Sequence, residues 1–153
     1  MKIYAVIDTN VIISALLSRH QDSATVQILN CLYDRVIIPI YNDDILEEYK
    51  AVLRRSKFNF SESAITATLE AIEKGGLKSD RIGSDEVLPD PKDIVFYEVT
   101  LSVEDSFLVT GNIKHFPKKP FVVTPSEMLQ IIHEMESVKT GLLSESAARY
   151  GRE

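Results

Sequence analysis

Short β-rich runs alternate with longer stretches of helical periodicity along most of the chain, and this alternation restricts the fold more than any other feature. Lys2–Ile7 (KIYAVI) is apolar and ends abruptly in Asp8-Thr9-Asn10, as a buried strand feeding a helix does. Val11–Leu17 continues as a helix, interrupted at Gln21-Asp22. Ser23–Tyr33 carries Val26, Leu29 and Tyr33 along one helical face, and Arg35–Ile40 is a second strand. Asp43–Arg54 is amphipathic, with Ile45, Leu46, Tyr49, Val52 and Leu53 on one stripe. Ser61–Lys74 repeats the pattern and stops at Gly75-Gly76. Asp90-Pro91 reads as an N-cap followed by proline at the first helical position, opening a helix to about Leu101. Ser106–Thr110 is a strand broken by Gly111, and Phe121–Val123 is a short one. Thr124-Pro125-Ser126-Glu127 is a capping box that starts a helix through Met135.

Strand–helix order with short apolar strands predicts an α/β fold: a parallel sheet covered on both faces. The 153 residues suffice for one domain with its own core, and no linker divides them. Residues 1–137 form that domain. From Val138 the chain turns polar and small, so 138–153 is expected to be a tail that is disordered or docks on a partner. The single Cys31 excludes a disulfide framework and a Cys-rich zinc site. No run reaches the ~18 apolar residues of a membrane span, and Asp8 interrupts the N-terminus before a signal region develops. The expected location is cytoplasmic.

Open parallel sheets place their sites at the carboxyl ends of strands, and acids gather there. Asp8 follows the first strand. Glu47 and Glu48 lie in the helix after the second. Asp90 and Asp93 open the helix before the SFLVT strand, Asp105 precedes that strand and Asn112 follows it. Carboxylates with no Cys or His among them are hard oxygen donors, suited to Mg²⁺ or Mn²⁺. Such a cluster stays ionised only with cations between its members. Helical phase puts Glu48 at the edge of the apolar stripe and Glu47 nearly opposite, so Glu48 is the candidate ligand. Each acid also has a structural reading. Asp8 and Asp90 suit N-caps, Asp93 suits a first helical turn, and Asn112 suits a turn after Gly111.

The ordered set of Asp8-Thr9-Asn10, Glu48 in LEEYKAVL, Asp93 in LPDPKDIVF, and Val109-Thr110-Gly111-Asn112 with Lys114-His115-Phe116 resembles the PIN-domain nucleases. More narrowly, it resembles PIN-family proteins regarded as toxins of toxin–antitoxin pairs. The resemblance runs from about Lys2 to Leu129. It implies an α/β/α sandwich around a roughly four- to five-stranded parallel sheet and Mg²⁺- or Mn²⁺-dependent RNA cleavage. It also implies a protein antitoxin as partner, and a homodimer. The family's acidic positions fall on Asp8, Glu48, Asp93 and Asn112. The last is an asparagine where many members carry aspartate. Asp105 restores that charge if its side chain turns inward. Asn10 and Thr110 are expected to orient the carboxylates. Thr9 is left as turn chemistry or a cap.

Net charge is −6, unfavourable for non-specific polyanion binding, but the charge is segregated. Lys50–Lys57 holds Lys50, Arg54, Arg55 and Lys57 without an acid, and Asn112–Lys119 holds Lys114, His115, Lys118 and Lys119 without one. Arg54, Arg55, Lys57 and Lys114 are the candidate RNA contacts; solvated charged faces explain them equally well. His115 reads as a surface residue or a phosphate contact. Phe58 and Phe60 read as loop packing, with base stacking as the alternative. Two competing functions remain. One is a PIN-fold binding module weakened or silenced by Asn112. The other is a Mg²⁺-binding phosphotransfer domain, disfavoured because Asp8 has no adjacent acid and Asn10 replaces the second Asp of an Asp-x-Asp.

Overall fold

A computed structural model describes residues 2–149, with side chains through 138. It has five strands: β1 (Ile3–Ile7), β2 (Ile37–Tyr41), β3 (Leu77–Lys78), β4 (Phe107–Val109) and β5 (Val122–Val123). The helices are α1 (Thr9–Leu17), α2 (Ala24–Tyr33), α3 (Asp43–Leu53), α4 (Glu62–Gly75), α5 (Ile94–Leu101) and α6 (Pro125–Arg149). All pairings are parallel and the strand order is β3-β2-β1-β4-β5. The α/β reading of the sequence therefore holds.

Every residue of β2 is buried, and in β1 Ile3, Ala5, Val6 and Ile7 are all buried. Successive strand residues point to opposite faces, so burial at both parities means both faces of the sheet are covered. Each buried Ile or Val contributes on the order of 1.5–3 kcal/mol. α5 packs over β1, β2 and β4 and touches α3, while α2 joins α1, α4 and α6. Among the described residues, no helix is long and apolar enough to cross a membrane.

The helix starts are written in short polar residues. Ser23, Asn42 and Ser61 each accept a hydrogen bond from the backbone three residues on. The capping box before α6 closes reciprocally, with Glu127 N donating to Thr124 Oγ1 and Thr124 N donating to Glu127 Oε1. Pro91 does not open α5 directly. Pro91–Asp93 is a 3₁₀ turn and the α-helix begins at Ile94. Strand β3 escapes the periodicity because it is two exposed residues long. The chain reaches it through Gly76, where a Cβ would sit 2.3 Å from the Ile72 carbonyl and 2.5 Å from that of Pro39. α6 continues past Met135 to Arg149, into the stretch expected to be a tail; 150–153 lie outside the described residues.

This topology fixes where a site can form. The chain runs outward from β1 to β2 and β3, then returns to the other side of β1 as β4. The connections leaving β1 and β4 therefore diverge and leave a crevice beyond their carboxyl ends.

Candidate functional site

Asp8 is the first residue beyond β1, and its backbone N–H donates to the Val109 carbonyl at 2.9 Å, tying it to the end of β4. It occupies the N-cap position of α1, yet its side chain makes no capping hydrogen bond. The carboxylate turns instead toward the crevice between β1 and β4. There Oδ2 accepts from Thr110 Oγ1 at 2.7 Å and from Asn10 Nδ2 at 3.2 Å. The Asn10 amide has only one workable orientation, because its Oδ1 accepts the Gly111 N–H at 3.1 Å. The Thr110 hydroxyl is constrained likewise, since it accepts from Asn112 N at 2.9 Å and must point its proton at Asp8. Two neutral donors, Asn10 and Thr110, thus hold the Asp8 carboxylate.

Glu48 reaches the same place from α3. It is partly buried and lines the crevice, whereas Glu47 is exposed and sits 3.8 Å from Lys50. Glu48 Oε2 accepts from Thr9 Oγ1 at 2.5 Å. The next residue, Tyr49, is fully buried and donates its hydroxyl to the Ile7 carbonyl. Ile7 and Thr9 flank Asp8, so this pair of bonds laces α3 to the end of β1 on both sides of the acid. Turn chemistry or a cap, the expectation for Thr9, did not include this role. The signal was available only in three dimensions, because Thr9 and Glu48 are 39 positions apart.

Asp93 closes the 3₁₀ turn before α5 and also lines the crevice. His115 Nδ1 lies 3.5 Å from its Oδ2, a contact the sequence did not reveal. Asp90 caps the turn by accepting from Lys92 N at 3.0 Å and lines the crevice as well. Asn112 faces it from the end of β4, with its side chain uninvolved in capping. The cleft has a volume of about 320 Å³.

The acids crowd one another. Asp8 is pushed from an ordinary 3.8 up to about 6, first by burial, with the neighbouring Asp93 and Glu48 charges adding and the Thr110 hydrogen bond opposing. Asp93 is also raised, by burial and then by Asp90, while His115 opposes. Tyr49 is held protonated by complete burial and by the same acids.

Asp105 does not join this group. It is exposed, in a left-handed turn (φ 59°) before β4. It lies at the amino end of the strand, whereas the crevice is at the carboxyl end, so its side chain cannot replace the charge missing at Asn112. The basic candidates divide. Arg55 lines the cleft, joined by Lys92 and His115. Arg54 is turned to Glu62 at 2.5 Å, Lys57 lies over the Phe58 ring, and Lys114 is exposed on the turn after Asn112.

A family model described as the PIN domain matches residues 4–114, which run from β1 to the turn beyond β4 and include Asp8, Glu48, Asp93 and Asn112. The chain belongs to the PIN-domain family. No curated protein and no solved structure matches it. Membership makes the fold one of the nuclease type, and PIN domains generally use divalent metal ions. The cleft of this PIN domain suits such an ion in donor chemistry. Asp8, Glu48 and Asp93 are hard oxygen donors whose mutual repulsion a cation relieves, and Asn112 adds a neutral oxygen. As placed, Glu48 is engaged by Thr9 and Asp93 by His115. Among the described residues, no three or more His, Cys, Asp or Glu form a group that could hold a metal ion.

Proposed function

We propose that this PIN domain is an Mg²⁺- or Mn²⁺-dependent endoribonuclease that acts as the toxin of a toxin–antitoxin pair. The carrying observation is the convergence of Asp8, Glu48 and Asp93 on one cleft at the β1–β4 crevice, with Asp8 buried and its ionisation suppressed. A carboxylate so placed is costly as an apo feature and useful as a cation ligand. In this reading Asp8, Glu48, Asp93 and Asn112 hold the ion. A divalent ion bound there supplies Lewis-acid stabilisation for attack on a phosphodiester. Thr110 and Asn10 keep Asp8 oriented, and Thr9 keeps Glu48 turned to the cleft. Arg55 and Lys92 offer cationic contacts to the phosphate backbone on a chain that is acidic overall, and the His115 ring offers a hydrogen bond beside them.

RNA as the polymer, a protein antitoxin and a homodimeric state are supported by the sequence resemblance. The direct test is cleavage of an unstructured RNA by the purified protein under excess EDTA, then with Mg²⁺ or Mn²⁺ restored. Cleavage should require the metal and return with it. RNA left intact with either ion would reject the nuclease reading and favour a PIN-fold binding module.

A further inference from the structure

The loop joining α3 to α4 carries a pair of aromatic rings at the basic side of the cleft. Phe58 and Phe60 stack face to face, with centroids 5.5 Å apart and planes inclined by 10°. Their roles differ. Phe60 packs against the hydrophobic core, while Phe58 lies outside it, its ring resting on Phe60 and half-buried. Asn59, between them, adopts the left-handed conformation (φ 54°), which asparagine tolerates better than most residues. This reverses the chain locally between the two rings. Lys57 holds its ammonium 5.1 Å from the Phe58 ring centroid.

Position and charge give this pair a use that loop packing does not require. The Phe58 N–H donates to the Arg55 carbonyl at 3.1 Å. That closes a turn whose ends lie within about 7 Å of each other, Cα to Cα. Arg55 and Val52 line the cleft, so Phe58 stands one turn from its wall. Of the four cations in this stretch, Lys50 and Arg54 have acidic partners in Glu47 and Glu62. Arg55, which opens the turn, and Lys57, within it, form no salt bridge among the described residues. A rigid aromatic face next to two cations without acidic partners matches a nucleic-acid strand, with the ring taking a base and the cations taking nearby phosphates.

We propose that Phe58, backed by Phe60 and flanked by Arg55 and Lys57, is a stacking subsite for one base of a nucleic-acid strand entering the cleft. The subsite rests on the nuclease reading above and assigns it a binding residue outside the acidic centre. Lys57 moves from the ring to a phosphate as the base arrives. Phe60 acts as a pedestal, so Phe58 can offer its outer face without rearrangement of the loop.

The test uses the full chain in EDTA, so that binding is read without cleavage. The probes are a fluorescein-labelled octamer of riboadenosine and the same ribose-phosphate backbone without bases. Each base stacked on an aromatic ring adds to affinity whatever its sequence, so Phe58→Leu should weaken octamer binding about tenfold and leave the abasic probe unaffected. The chain contains no tryptophan, so Phe58→Trp introduces a single reporter at the subsite. Its emission should be quenched by the octamer and not by the abasic backbone, with affinity at or above wild type. Equal octamer affinity in wild type and Phe58→Leu, or unquenched emission while the octamer is bound, overturns the subsite and leaves the nuclease reading standing. Failure of wild type to bind the octamer at all overturns the subsite, while the nuclease reading stands or falls separately on cleavage with Mg²⁺ or Mn²⁺ restored.

Discussion

Two acidic clefts lie side by side along the carboxyl edge of the sheet, and they differ in how their charge is answered. Beyond β2 and β3, Asp43, Asp44 and Asp80 line a pocket of about 430 Å³ together with Asn42, Lys78 and Ser79. Beyond β1 and β4, Asp8, Glu48, Asp90 and Asp93 line one of about 320 Å³. The first looks the better candidate by size. Its acids are exposed, however, and locally neutralised. Lys78 binds Asp43 at 2.9 Å, Arg81 approaches Asp44 at 4.0 Å, and both aspartates sit in the first turn of α3, where the helix dipole favours them. In the second cleft the central acid is buried against its neighbours and bound only by neutral donors. A cation site is marked by charge that the fold leaves uncompensated, not by the size of the pocket.

The largest effect should come from removing that charge. Asp8→Asn should abolish metal-dependent RNA cleavage, with a loss beyond about a hundredfold, and the protein should remain folded. The matched change across the divide, Asp43→Asn, should leave cleavage unaltered and shift stability by no more than about 0.5 kcal/mol, as exposed ion pairs generally do. Initial cleavage rates under saturating Mn²⁺ check both. Equal loss in the two variants would erase the distinction between the clefts.

Next in size is the support beneath Asp8. Thr110→Val keeps the shape of a fully buried side chain and deletes its hydroxyl. Asp8 then loses a donor and Asn112 N–H loses its acceptor. Outer contacts to metal ligands are commonly worth 10–100-fold in affinity. Mn²⁺ binding by calorimetry should weaken by about that factor, and cleavage should recover as Mn²⁺ is raised. A loss that excess metal does not repair would mean that the hydroxyl acts on the substrate instead.

Much of this arrangement was legible from sequence because it follows from local rules. The strand exit at Asp8, the phase that separates Glu48 from Glu47, the capping box at Thr124 and the strand-end position of Asn112 depend on periodicity and nearest neighbours. What escaped is non-local or too short to be periodic. β3 is two residues long, and Thr9–Glu48 and Asp93–His115 join distant parts of the chain. Asp105 failed for a related reason. Its side chain has no inward course to the cleft, because a residue before a strand and a residue after it lie at opposite ends of the sheet.

A smaller effect separates the clefts by pH. Asp8 holds its proton to about pH 6 in the folded state and releases it near 3.8 when unfolded. The unfolded chain therefore gives up the proton first. In the metal-free protein, the native state loses stability relative to the unfolded state as pH rises from about 4 to 6, then no more. At about 1.36 kcal/mol per pKa unit, the ceiling is roughly 3 kcal/mol. Asp8→Asn removes this penalty. In EDTA its melting temperature should gain on wild type between pH 4 and 6 and hold that lead above 6. Asp43→Asn should show no such pH-dependent gain. With Mn²⁺ present at pH 7 the order should reverse, because only wild type keeps the carboxylate that the cation rewards. A melting-temperature difference independent of pH would mean that Asp8 is not the group held protonated.

The smallest effect comes from adding charge where the cleft lacks it. Asn112 lines the cleft from the end of β4 and is exposed, so a carboxylate there is screened far more than Asp8 is. Asn112→Asp keeps the side-chain shape, and its side chain makes no capping bond that the change would break. The extra charge faces acids that already repel one another, so apo stability should fall slightly, by about 0.5 kcal/mol or less. With Mn²⁺ the same charge becomes a fourth anionic donor, and affinity should rise severalfold. The two signs are the point of the experiment. A neutralised pocket such as that around Asp43 would respond little to either condition. A cleft that holds a cation must respond to both, in opposite directions. If Asn112→Asp melts like wild type in EDTA and binds Mn²⁺ no more tightly, the side chain turns away from the ion. The ligand set then reduces to Asp8, Glu48 and Asp93, and the uncompensated charge that distinguishes this cleft belongs to those three alone.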